Sequence, residues 1–137
     1  MIYLAANTAS QKIRVTAYEG RMLLDESFTD YLVVFYQNFG DVDYAFIANV
    51  EEDNYRYSSF LIDTDDDDPT NGNILVPSNI EGFFTYIIYG QNSDTNLDPM
   101  DSSVVGEVER GYLRFTDTAS LINNGNTPTP TIQSYAG

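Results

Sequence analysis

The sequence predicts an all-β fold, an antiparallel β-sandwich followed by an extended C-terminal tail. Three observations carry this. Runs rich in Val, Ile, Tyr and Phe recur along the chain, separated by clusters of Gly, Pro, Asn and Asp, the signature of short strands joined by turns. Aromatics make up 14% of residues, with 11 Tyr and 8 Phe but no Trp, a balance suited to strands with one buried face and one face toward water or a partner. No window of ten or more residues carries a helical apolar stripe.

Taken in order, Ile2–Asn7 is a first apolar segment. In Lys12–Tyr18, Ile13, Val15 and Ala17 alternate with Lys12, Arg14 and Thr16, the period of a half-buried strand. Glu19-Gly20 reads as a turn and Arg21–Phe28 as a short strand. Tyr31–Tyr36 is a continuous β-branched and aromatic run, which predicts a central strand buried on both faces. After a turn at Asn38–Asp41, Tyr44–Val50 and Tyr55–Ile62 read as two strands forming a hairpin around the acidic tip Glu51–Asn54. A polar interval, Asp63–Asn73, follows. Ile74–Pro77 is an edge piece, because Pro cannot donate to a ladder. Glu81–Gly90 is the clearest strand, with Phe84, Tyr86 and Ile88 on one face and Phe83, Thr85 and Ile87 on the other. The loop Gln91–Ser103 leads to Val104–Val108, which Glu109-Arg110-Gly111 turns into Tyr112–Thr116.

The 137 residues fit one domain with a tail, read as 1–122 and 123–137, and a domain of this size builds a core without metals or disulfides. The segment from Asn123 is nearly uncharged and alternates Thr with Pro, so it should be extended when alone. Pro128, Pro130, Ile132 and Tyr135 are its candidate partner-binding residues, with Ile132 and Tyr135 as anchors on a neighbouring subunit.

The chain has neither Cys nor His, which removes thiol nucleophiles, disulfides, His-based triads and nearly every zinc or copper site. The net charge is −15, from 21 acidic and 6 basic residues. A field of that sign repels nucleic acid and anionic membranes, so no direct nucleic-acid or membrane binding is expected. No apolar stretch approaches the ~18 residues that span a bilayer, and Met1–Leu4 lacks the basic, then apolar, pattern of a signal peptide. No motif marks an enzyme, and no cofactor is expected.

The run Asp65–Asp68 invites a calcium reading, because hard cations take clustered carboxylate oxygens. Asp63, Asp65 and Asp67 would occupy the first three ligand positions of an EF-hand loop, but Asp68 stands where its Gly is required and Ile74 where its bidentate Glu belongs. A looser Ca²⁺ site on Asp63, Asp65 and Asp67 stays open beside the plain alternative, a solvated acidic loop. The Asx-rich loop Asn92–Asp101 reads as self-hydrogen-bonded turns.

The opening Ile2–Gln11, the stretch Gly82–Ser93, then Asn96–Pro99 and Val104–Gly111 resemble small virion structural proteins of tailed phages of Bacteroidetes, crAss-like phages included. Gly82, Phe84 and Tyr86 are similar to a Gly-aromatic-x-Tyr strand in the immunoglobulin-like amino-terminal domains of phage baseplate and fibre proteins. The resemblance implies an Ig-like sandwich in a virion, assembled in the bacterial host cytoplasm. It implies a capsid-decorating or auxiliary capsid protein contacting the major capsid protein, or alternatively a fibre- or tail-adaptor contacting fibre or neck proteins. It brings no catalytic residues. A glycan- or receptor-binding sandwich, using exposed Tyr and the Gln91–Asp101 loop, is the other alternative.

Overall fold

The computed structural model describes residues 1–24, 26–80 and 82–116. The proposed 122/123 boundary and Pro128, Pro130, Ile132 and Tyr135 lie outside them. The fold is all-β. Among the described residues there are ten strands: β1 (Ile2–Ala5), β2 (Gln11–Val15), β3 (Asp30–Gln37), β4 (Asp43–Ile47), β5 (Asn49–Asp53), β6 (Ser58–Ile62), β7 (Asp65–Asp68), β8 (Asn73–Leu75), β9 (Phe83–Gln91) and β10 (Val104–Thr116). They form a five-stranded sheet ordered β1-β10-β9-β3-β4, a three-stranded sheet ordered β2-β6-β5, and the β7-β8 pair.

Both larger sheets feed one core. Val33, Phe35, Phe84, Ile88, Leu113 and Phe115 from the first meet Ile13, Val15, Phe60 and Ile62 from the second. Edge-on ring contacts such as Phe84–Phe115, with centroids 5.1 Å apart, fill the centre, the geometry that the ring quadrupole favours. Leu32, Val34, Ile47 and Ile87 are buried as well, but outside that cluster, on the other face of the five-stranded sheet. The centre of that sheet is therefore apolar on both sides, as the Tyr31–Tyr36 run predicts. The two sheets are stitched where β1 gives way to β2. The Gln11 side chain bonds both backbone groups of Ala5, accepting from its N–H at 2.7 Å and donating to its carbonyl at 2.9 Å. The buried Thr64 hydroxyl donates to that same carbonyl at 2.7 Å.

Five readings are corrected. The larger sheet is mixed rather than purely antiparallel, because β1 runs parallel to β10, with Ile2 opposite Leu113; an edge strand is where a sheet commonly mixes. Tyr18–Leu24 is a helix, α1, instead of a turn and a strand. It forms against β10, where the Gly20 backbone lies on the Val108 carbonyl and Leu24 covers Gly106; tertiary packing of this kind overrides weak local preference. The acidic-tip hairpin is β5-β6, whereas β4 stays in the other sheet. The Asp run is strand β7 rather than loop. Glu109-Arg110-Gly111 does not turn: β10 passes straight through with a register shift between Glu107 and Glu109. Gly111 is there because the Tyr86 ring crosses it, and a Cβ would sit 2.6 Å from the ring.

Candidate functional site

Asp63 is occupied structurally, its Oδ1 accepting the Ser10 N–H at 2.7 Å while its own N–H donates to Asn73 Oδ1 at 3.2 Å. Asp65 and Asp67 lie along exposed β7, two residues apart and so on one face of the strand. Among the described residues no group of three or more carboxylates converges in a way that could hold a metal ion. The Asn92–Asp101 loop folds on itself as expected. Gln91 Nε2 donates to the carbonyls of Ser93 and Asn96, and Asp98 Oδ1 and Asp101 Oδ2 accept the N–H groups of Met100 and Ser103. Its one exposed large apolar residue is Met100, so it offers no tyrosine platform.

The surface that sequence spacing does not reveal is the outer face of the five-stranded sheet at β1, β10 and β9. Leu113 and Phe115 turn into the core, so Tyr112 and Arg114 turn out. Register places Tyr3 and Phe83 on either side of Arg114. Tyr3 is 59% exposed, Tyr112 61% and Phe83 42%. The Arg114 guanidinium lies 5.3 Å from the Phe83 ring centroid, a cation–π contact, and among the described residues it makes no ion pair with a carboxylate. Further along the face, Arg110 is bound to Glu107 at 2.8 Å and 3.0 Å, which holds the Glu107 carboxyl below its ordinary range. Burial, and then the neighbouring Tyr36 hydroxyl, push the Tyr89 hydroxyl upward.

A polar joint ties helix and sheets together behind this face. The Tyr31 hydroxyl donates to Asp53 Oδ2 at 2.9 Å and accepts from Arg21 Nη1 at 3.1 Å. Arg21 Nη1 also meets Asp53 Oδ2 at 2.6 Å, and Ser58 donates to Asp53 Oδ1 at 2.7 Å. Burial first, then the bond to Asp53, raise the Tyr31 pKa to about 12. The joint links α1, β3 and the edge strand β5, so its role is positional.

Among the described residues no helix is long and apolar enough to cross a membrane. No protein-family model, curated protein or solved structure matches this chain.

Proposed function

We propose that this chain is a structural virion protein with an Ig-like β-sandwich, acting through protein–protein contacts as a capsid-decorating or auxiliary capsid protein. A fibre- or tail-adaptor would use the same chemistry at another position in the particle. The observation that carries this reading is the outer face bearing Tyr3, Phe83 and Arg114. Tyr, Phe and Arg are the residue types enriched at interface cores. An arginine without a carboxylate partner among the described residues is notable in a chain with 21 acids, and it suits a partner that supplies one. Capsid, fibre or neck proteins are the partners proposed, with the segment 123–137 lying across a neighbouring subunit through Ile132 and Tyr135. The acidic strands β5 and β7 then face solvent, away from packaged DNA, on grounds of charge. No catalytic step, metal or cofactor is proposed.

The test is incorporation into particles. Phe83→Ala combined with Arg114→Gln should lower incorporation by about tenfold or more, since interface anchors are commonly worth 1.4 kcal/mol or more. Deletion of residues 123–137 should lower it separately. Full incorporation of both variants, with circular dichroism showing folded protein, would refute the reading.

A further inference from the structure

Between the two sheets, beside the end of β1, runs a cleft of about 450 Å³ whose lining includes Arg14, Thr16, Tyr57, Tyr86, Glu109 and Tyr112. It lies in the size range of small-ligand sites. It opens where β1, which pairs only with Leu113–Thr116, stops short of Glu109–Tyr112 on β10. Tyr86 is 8% exposed, and no hydrogen-bond partner meets its hydroxyl among the described residues. The hydroxyl is not among the fully buried polar atoms that lack a partner, so it opens to solvent at the cleft, where a ligand hydroxyl can replace water. The Arg14 guanidinium lies over the Tyr57 ring, 4.4 Å from its centroid, and makes no ion pair among the described residues. The Glu109 carboxylate accepts from the Thr16 hydroxyl at 3.3 Å and from the Arg110 N–H at 3.2 Å. A carboxylate has about four acceptor sites, which leaves capacity toward the cleft. Thr16 and Glu109 also line an adjoining cleft of about 410 Å³ with Tyr18, Tyr55 and Arg56, so the feature continues past one binding position.

From this geometry we infer that the cleft binds a neutral oligosaccharide. The polar groups supply one fixed donor fork, one carboxylate and one hydroxyl, a set that bonds vicinal sugar hydroxyls. The exposed Tyr112 ring offers a flat surface for the C–H face of a pyranose. The net charge of −15 selects against an anionic polysaccharide, which the field of the whole protein repels. The paired clefts favour a chain of sugars over a single one. This site borders the outer face at Tyr112 but includes none of Tyr3, Phe83 and Arg114, and it does not rest on the assembly reading.

The test is an NMR titration of the full chain with maltopentaose, cellopentaose and mannopentaose, beside a galacturonate oligomer, each to millimolar concentration. At least one neutral probe should saturate and shift the tyrosine ring signals, with the galacturonate oligomer weaker. Tyr112→Ala should weaken binding by about tenfold, and Tyr86→Phe, which removes only the hydroxyl, by about threefold to tenfold. Phe83→Ala should leave binding unchanged. Absence of shifts with all three neutral probes, tighter binding of the galacturonate oligomer, or binding indifferent to both Tyr112→Ala and Tyr86→Phe would each overturn the inference.

Discussion

The aromatic face at β1, β10 and β9 and the acidic strands β5 and β7 are opposite solutions to the same problem, an exposed piece of sheet. On the first, Tyr3, Phe83 and Tyr112 stand in water around Arg114. On the second, β5 exposes Asn49-Val50-Glu51-Glu52-Asp53 and β7 consists of four Asp. Charge along an exposed edge discourages pairing with other chains, whereas exposed aromatics beside an arginine invite contact. The cations follow the same division. Lys12 and Arg21 are spent on Glu51 and Asp53, holding the acidic strand to its neighbours, while on the aromatic face Arg110 is paired with Glu107 but Arg114 is stacked on Phe83 with no ion pair among the described residues. One side is protected and the other is left open.

That contrast can be broken most severely along β9, where adjacent residues belong to different environments. Phe84 is fully buried and Phe83 stands outside. Phe84→Ala should cost about 3–5 kcal/mol of stability, against about 0.5 kcal/mol or less for Phe83→Ala. Urea denaturation of the two variants measures the difference, and near-equal losses would show that the outer face is part of the core.

The joint behind the acidic strand gives the next largest effect, and it depends on pH. Tyr31 titrates at about 12 in the folded protein, above the ordinary value of 10.0. Below pH 10 the tyrosine is protonated in both folded and unfolded chains, so the contribution of the joint is complete. Between pH 10 and about 12 the unfolded chain loses the proton first, and stability falls. The loss attributable to this group should total about 2–3 kcal/mol. Denaturation across that window should show Tyr31→Phe with a shallower alkaline decline, at the expense of about 1 kcal/mol near neutral pH from the lost hydroxyl. An unaltered alkaline slope would mean that burial and Asp53 together do not hold this proton.

The smallest effect belongs to β7. Asp65→Asn with Asp67→Asn relieves repulsion between exposed like charges and should raise stability by a few tenths of a kcal/mol. The gain should shrink as salt is added. Thermal melts at low and high ionic strength would register it. A large loss instead would assign those carboxylates a structural partner.

The central strands are legible in the sequence because burial on both faces demands what Tyr31–Tyr36 and Phe83–Tyr89 supply. Alternation likewise exposes β2, since Ile13 and Val15 point inward between polar neighbours. Signals that depend on distant parts of the chain are not legible. Gly20 and Gly111 look like turn residues, yet each marks a point where another element passes too close for a Cβ. Four consecutive Asp resemble a solvated loop because strand preference weighs against them, while their pairing with β8 is set by the hairpin that joins them. The surfaces proposed to bind are illegible for the same reason. Tyr3, Phe83 and Arg114 meet through strand order, and Arg14, Tyr86 and Glu109 through the stacking of two sheets. No spacing along the chain announces either set.

The parallel pairing of β1 with β10 has a consequence for synthesis. Ile2 leaves the ribosome long before its partner Leu113, which is among the last of the described residues to emerge. The first strand must therefore wait, unpaired, while the intervening β-structure is made, and the largest sheet cannot complete itself until its tenth strand arrives. Contacts of such long sequence separation slow folding and leave edges open to misassociation meanwhile. The acidity of the chain then acts on the ribosome as well as in the finished molecule, keeping neighbouring nascent chains apart during that delay.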